Sequence, residues 1–394
     1  MSSLPPDLAA LPDFDLDDDE LRAAGTAKWG AAPAGVLPAW VAEMDVRGCP
    51  PVVEAVLAAV RAGRTGYADL SAANGLAEAT TAFLLAEFGW QVDPAEVTAT
   101  ADVMAGIRLV LETCCEPGPV VVPVPTYPPF LAVAPLTGRD AVRVPLTATG
   151  GGVPALDLSA IGAALAAGAR TVLLSSPHNP SGRAFTRAEL EGLRDVVLAR
   201  GARVISDEIH APLVLAPGRS HVPFASLDGA GGCTVTVLAA SKAWNVAGLK
   251  CAQIVTSNPA DRARLRAVAH VANGGTSPLG VVATVAAYRE GGAWLAALRE
   301  QLSARLDQLM ATAARDLPGV RVVRPEATYL AWLDASAYAT GESWDAAASA
   351  LRGGVMLSRG PDFAAPATHA RLNVATSAER LERILARLAE AWAG

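Results

Sequence analysis

The sequence predicts an α/β protein: a mostly parallel central sheet with helices on both faces, plus a smaller α+β domain. Three observations carry this. Short apolar, β-branched runs alternate with helix-period segments through the middle of the chain, as crossover connections between parallel strands require. After about residue 276 the alternation gives way to a long helical stretch and then short strands. The 394 residues exceed a single domain of roughly 100–200 residues, and 52% apolar against 18% charged residues can fill a large core.

The elements follow in order. Pro50-Pro51 opens a helix that stops near Gly63, proline being tolerated in a first turn. Asn74 can cap a second helix that runs through Phe83 and Phe88 to Gly89. Residues 97–100 read as a strand, followed by a helix over about 104–115. Strands are expected at 120–124 and 141–145, a helix at 157–167 and a strand at 171–175. Thr186-Arg187-Ala188-Glu189 is a capping box opening a helix that stops at Gly201. Short buried strands follow at 203–206, 234–239 and 251–256. The helical stretch 277–317 is broken by Gly291-Gly292. Strands are expected at 320–323, 328–334, 355–358 and 371–374. Thr376-Ser377-Ala378-Glu379 offers a second capping box, before a helix with Leu381, Ile384, Leu385, Leu388 and Trp392 on one face. The division drawn from this is a large unit over 48–285 and a small one over 1–47 with 286–394.

Composition excludes several functions. A net charge of −7 argues against nucleic acid or anionic membrane as partner. No apolar run approaches the roughly 18 residues that span a bilayer. Residues 1–20 are proline-rich and then acidic, without the basic start of a secretion signal, so a cytoplasmic location is expected. Five cysteines lack metal-ligand spacing and read as buried thiols. Gly150-Gly151-Gly152 neither follows a strand-turn nor opens a helix, so the nicotinamide-dinucleotide fingerprint is missing.

Basic residues are 29 arginines and three lysines, Lys28, Lys242 and Lys250. Where arginine supplies almost all positive charge, a retained lysine calls for chemistry that a guanidinium cannot perform. Two of the three fall in Ser241-Lys242-Ala243-Trp244-Asn245-Val246-Ala247-Gly248-Leu249-Lys250, directly after a buried strand. A desolvated amine there can attack a carbonyl; the bland alternative is a surface loop. Ser206-Asp207-Glu208-Ile209-His210 places carboxylates at another strand end, to cap a helix or to pair with a cation in the crevice. Ser175-Ser176-Pro177-His178-Asn179-Pro180-Ser181-Gly182 is a rigid loop at a third, and alone it is simply a turn. His178 by itself is not a convincing general base. In open parallel sheets ligands bind beyond the carboxyl ends of the strands. An amine, a carboxylate and a rigid asparagine loop there suit pyridoxal 5′-phosphate (PLP). Its aldehyde needs an amine, its ring nitrogen a carboxylate and its phosphate backbone N–H donors.

With these motifs in this order, the chain resembles the fold-type I PLP enzymes of the class I/II aminotransferase family, and within it the cystathionine β-lyase-like (carbon–sulfur β-lyase) branch. The resemblance runs from Trp40-Val41-Ala42-Glu43-Met44-Asp45 to Arg371-Leu372-Asn373-Val374-Ala375. It implies that Lys242 holds PLP as a Schiff base and then moves the substrate's α-proton. Asp207 pairs with the ring nitrogen, and Asn179 with the ring's phenolic oxygen, near His210. Tyr127 stacks on the ring. The backbone amides of Val103 and Met104, with Ser241 and Lys250, hold the phosphate, and Tyr67 reaches the phosphate of a neighbouring subunit in a homodimer. Arg371 clamps the carboxylate of a small amino-acid substrate, with Asn179 beside it. Three residues depart from the pattern. Asp102 stands where glycine is usual, and opposes phosphate unless it turns away or caps the helix. Ala239 replaces a phosphate-binding serine, and Glu43 an aspartate near the entrance. The implied reaction is β-elimination on cystathionine or another cysteine S-conjugate, giving a thiol, pyruvate and ammonia. The alternative is an aminotransferase, since the same residues serve both. A non-catalytic regulatory protein that has kept the fold is a further class, weighed against by the joint presence of Lys242, Asp207, Asn179 and Arg371.

Overall fold

The computed structural model describes residues 11–71 and 74–393. Residues 1–10, which belong to the predicted small unit and to the proline-rich start, lie outside the described residues. The main sheet has seven strands: β1 Val97–Thr100, β2 Val120–Val124, β3 Ala141–Pro145, β4 Thr171–Ser175, β5 Arg203–Asp207, β6 Thr234–Leu238 and β7 Ala252–Val255. Their spatial order is β1-β7-β6-β5-β4-β2-β3. Only β7 runs against its neighbours; the other pairings are parallel. The mostly parallel sheet is therefore as expected.

Helices cover both faces because every position of β2, β4 and β6 is buried. Alternate side chains divide between two cores, as the two-residue strand period requires. Val120, Val122, Leu173, Ile205 and Val235 pack on one side. Val121, Val172, Leu174 and Val204 pack on the other. Each such side chain contributes roughly 1.5–3 kcal/mol on burial. The helix Arg187–Ala199 starts from the predicted capping box, with Thr186 and Glu189 bonded reciprocally. Four of the five cysteines are buried and all five are unpaired.

The C-terminal region forms a three-stranded antiparallel sheet of Leu330–Asp334, His369–Asn373 and Ser358–Arg359. The N-terminal segment joins it: Leu37–Pro38 pairs with Val355–Met356, and Trp29 and Leu37 share one core with Leu330, Leu372 and Leu385. The predicted helical stretch is two helices, Pro278–Glu290 and Gly292–Asp316. A Cβ at Gly291 would collide with Trp244 and the Ala287 carbonyl.

Several expectations are corrected. Residues 320–323 form no strand; Arg321 makes an isolated bridge with Asp334, between Pro318 and Pro325. The predicted strand 355–358 is two short pieces because its halves pair with different partners. The helix after Asn74 begins at Leu76 with Gly75 as its cap, and the Asn74 side chain instead accepts the Leu76 N–H at 2.8 Å. The last cap lies one residue later than expected, Ser377 Oγ accepting the Arg380 N–H at 3.2 Å. Helices at Pro128–Leu136, Pro259–Ala272 and Ala346–Arg352 were not foreseen.

Gly182 joins the two regions. Its φ is +68°, and an added Cβ would lie 2.5 Å from Pro325 Cβ and 2.9 Å from Ala327 O. Glu326 and Ala327 both donate their N–H to Gly182 O. A Gly182→Ala variant is expected to lose about 2–4 kcal/mol of stability, measured as a shift in urea-unfolding midpoint.

Candidate active site

The carboxyl ends of the parallel strands surround a cavity of about 250 Å³. Ten of the eleven predicted site residues line it: Val103, Met104, Tyr127, Asn179, Asp207, His210, Ser241, Lys242, Lys250 and Arg371. Tyr67 does not; it is 99% exposed.

Asp207 is the last residue of β5 and is buried. Its Oδ1 accepts the Ile209 N–H at 3.0 Å. Burial pushes its carboxyl up to about 7, against that bond and the charge of Lys242. The adjacent Glu208 points the other way and is fully engaged. It accepts from Ser206 Oγ at 2.8 Å, His221 Nε2 at 2.8 Å and Phe224 N at 2.9 Å. One acid of the pair is structural; the other faces the cavity.

Lys242 lies four residues beyond the end of β6, and its Nζ donates to Ala42 O at 2.8 Å. Although its side chain opens on the cavity, protein encloses it otherwise. Burial, with the nearby Arg371 charge, lowers its amine to about 8, against Glu43 and Asp207. About a tenth is therefore unprotonated at pH 7, the form that attacks carbonyls, against well under a thousandth for an ordinary lysine.

Arg371 is buried without an acidic partner among the described residues. Nη1 donates to Asn179 Oδ1 at 2.9 Å and Nη2 to Trp40 O at 2.8 Å. The guanidinium lies 4.8 Å from the centre of the Phe363 ring, while Nε has no partner. Burial lowers its pKa to about 10. An oriented guanidinium with a free donor suits a carboxylate. Asn179 is held in turn by its loop, its N–H donating to Ser175 Oγ at 3.3 Å. His178 is turned away, bonded to Ser181 Oγ at 2.8 Å, and burial drops its pKa to about 4. It is no general base.

Asp102 resolves one expected conflict. It caps the helix Val103–Thr113, accepting the Ala105 N–H at 2.9 Å, and its Oδ2 lies 2.9 Å from Lys250 Nζ. Burial raises its carboxyl, but the Ala105 N–H and Lys250 outweigh that and hold it below the ordinary range. Lys250, expected on a phosphate, lines the cavity and is paired with Asp102 at the helix end. Ser241 stands on the cavity wall beside Lys242, with Ala239 below it.

Tyr127 packs edge-on against Phe130, ring centres 5.8 Å apart. His210 is buried, its Nδ1 unpartnered, and burial lowers its pKa to about 3. Its ring meets that of Tyr329 at 6.3 Å and 79°. Tyr329 was not foreseen. It is fully buried with an unpartnered hydroxyl, and burial raises its pKa. Its only sequence signal was a place at the start of a predicted strand. The carbonyls of Trp40 and Ala42 were also missed, since backbone groups carry no residue signature.

These residues fit PLP. A buried acid without a cation, an amine of lowered pKa, and Arg371 and His210, each with one unpartnered nitrogen, all line one cavity at the strand ends. Asp207 would hold the ring nitrogen and Lys242 the aldehyde carbon; the phosphate would go to the helix end and Ser241.

The family profile of class I and II aminotransferases matches residues 39–388. Cystathionine β-lyase of Corynebacterium glutamicum is 39% identical over 94% of this chain and 98% of its own. A Corynebacterium diphtheriae structure described as a candidate PLP-dependent β-cystathionase superposes with TM-score 0.89 at 35% identity, covering 96% of this chain and 98% of that one. The PLP-bound C–S lyase of Staphylococcus hominis gives TM-score 0.89 at 26% identity, over 96% and 98%. Within the described residues no helix is long and apolar enough to cross a membrane.

The raised Asp207 carboxyl has a stability consequence. Between its ordinary value of 3.8 and about 7, the folded chain keeps a proton that the unfolded chain has released, so stability falls as pH rises through that window. Without cofactor, Asp207→Asn is expected to be more stable than the parent at pH 8, by about 2 kcal/mol or more. The advantage should vanish towards pH 4. Urea unfolding at the two pH values checks this.

Proposed function

We propose that this chain, which belongs to the class I and II aminotransferase family, is a PLP-dependent carbon–sulfur β-lyase acting on cystathionine or another L-cysteine S-conjugate. The observation that carries the reading is one cavity uniting Lys242, Asp207, Asn179 and Arg371, in a chain alike over nearly its full length to a cystathionine β-lyase.

PLP, when bound, supplies an aldehyde for the substrate amine and an electron-poor ring that accepts the electrons left by a broken Cα–H bond. The chain's residues do the rest. Arg371 receives the substrate carboxylate on its free edge, and Asn179 keeps the guanidinium from turning. Asp207 would hold a proton between its carboxylate and the ring nitrogen, which a buried acid of raised pKa can do without becoming solvated. Tyr127, on the cavity wall, would cover one face of the ring and exclude water. Neutral His210 lines the same wall, and the buried Tyr329, its hydroxyl unpartnered, packs edge-on against the His210 ring. Lys242 takes the α-proton on Nζ, and the β-carbon then loses its thiolate. Hydrolysis of what remains gives pyruvate and ammonia.

The same reading has the chain work in the cytoplasm as a homodimer. Five unpaired cysteines suit a reducing compartment. The exposed Tyr67 would serve the phosphate of the partner subunit's site. The division into a large unit at 48–285 and a small one at 1–47 with 286–394 belongs to it too: the seven-stranded sheet lies in the first and the three-stranded sheet in the second.

Incubation with cystathionine and no keto acid should release pyruvate and a thiol. Amino transfer appearing only once a keto acid is added would make the chain an aminotransferase instead. Lys242→Ala should lower turnover by about 10²–10⁴-fold. Arg371→Leu should act mainly on KM, raising it by roughly 10-fold or more through loss of the carboxylate contact.

A further inference from the structure

Residues 40–44 form a strap, with Val41 and Ala42 on the cavity wall, in which every carbonyl accepts a side-chain donor. Trp40 O accepts from Arg371 Nη2 at 2.8 Å and from Ser358 Oγ at 2.7 Å. Val41 O and Glu43 O both accept from Asn373 Nδ2, at 2.7 and 2.6 Å. Met44 is gripped twice by Asn245, its N–H donating to Oδ1 and its carbonyl accepting from Nδ2, each at 2.9 Å. Between these grips stands Ala42, whose carbonyl accepts from Lys242 Nζ.

Asn373 has nothing left over. It is completely buried; its Oδ1 accepts the Ala375 N–H at 2.7 Å and its own N–H donates to Ala39 O at 2.9 Å. It stands two residues beyond Arg371 on the strand His369–Asn373, so both side chains leave the same face. Both amide hydrogens are spent on the carbonyls either side of Ala42. That arrangement holds the peptide units 41–42 and 43–44 on either side of unit 42–43, which carries the Ala42 carbonyl, and so restrains the direction of that carbonyl. Nothing else in the contacts of Asn373 requires two donors at that spacing.

We propose that Asn373, with Asn245 as the second grip, is a positioning residue for Lys242. By bracketing Ala42 it fixes the carbonyl on which the lysine amine rests whenever its nitrogen is not bonded to the cofactor. The proposal rests on the reading of Lys242 as the cofactor-binding lysine. The charged groups that face the amine are Arg371, Glu43 and Asp207, with His210 neutral beside them; none is itself substituted, and only Glu43 lies on the strap that Asn373 holds. A loosened strap admits water to the amine. Desolvation is the main cause of its lowered pKa, so hydration moves that pKa back up.

The test follows the capture of added PLP by cofactor-free, full-length protein across pH, read as growth of visible absorbance. The parent midpoint should lie at about 8. Asn373→Leu and Asn245→Ala should each raise it by about one pH unit, with capture at pH 7 slowed up to about 10-fold. A role confined to stability would lower the melting temperature and leave the midpoint in place. Variants that are folded by circular dichroism yet keep the parent midpoint overturn the proposal. If Asn373→Leu does not fold, the half-buried Asn245→Ala decides alone. No capture by the parent protein at any pH would overturn the cofactor reading itself, and this proposal with it.

Discussion

A carboxylate and an amine of opposite ordinary charge share one buried cavity, and neither forms an ion pair among the described residues. Everything else in the site depends on that constraint. Enclosure moves the two pKa values toward one another, Asp207 up to about 7 and Lys242 down to about 8. A free acid and a free amine in solution would be fully ionised at neutrality. Held apart in a poorly hydrated pocket, both become adjustable, and a ligand that brings a cationic ring nitrogen to one and a carbonyl carbon to the other relieves the desolvation of both. The parallel sheet makes this possible, because the ends of β5 and β6 lie side by side and deliver the two groups from separate turns.

The rest of the molecule holds these groups still. The N-terminal segment is tied to residues 40–45 by the buried pair of Lys28 and Asp45, 2.9 Å apart, with Trp29 Nε1 donating to Asp45 at 2.7 Å. The loop of Asn179 is clamped to the C-terminal region by Arg183, which pairs with Glu189 at 2.7 Å and with Glu326. Arg371 then links that loop to residues 40–45. The three lysines stand in three separate settings: Lys28 in a buried ion pair, Lys242 on the cavity wall, and Lys250 paired with Asp102 at a helix end. A chain that uses arginine for general surface charge keeps ammonium groups where a compact point charge or a removable proton is needed.

Much of this was legible in the sequence. The strands β1 to β4 were read at their observed bounds because continuous β-branched runs such as Val120-Val121-Val122 between glycine and proline leave little choice. The site motifs were legible because each sits at a strand end and because lysine is so scarce. What was missed has physical reasons. Pro128-Pro129 and Pro135 mask the helix Pro128–Leu136, where no element was expected, yet the first two occupy the N-terminal turn, where no N–H is needed. The helix Pro259–Ala272 is half-exposed and arginine-rich, so its apolar stripe is faint. In the helix Ala346–Arg352 a run of alanines carries no periodicity. Residues 320–323 looked like a strand from Val-Arg-Val-Val, but alternation alone cannot supply a neighbour to pair with. Asp102 and the carbonyls of Trp40 and Ala42 could not be placed without coordinates, because their roles come from what stands opposite.

The central claim is that Lys242, and no other amine of this chain, holds PLP. Borohydride reduction of the PLP-loaded protein followed by peptide mass spectrometry tests it most directly, since only two other lysines compete. The account predicts a phosphopyridoxyl group on the peptide containing Lys242 and none elsewhere. A label on Lys28 or Lys250, or no label at all, would contradict it.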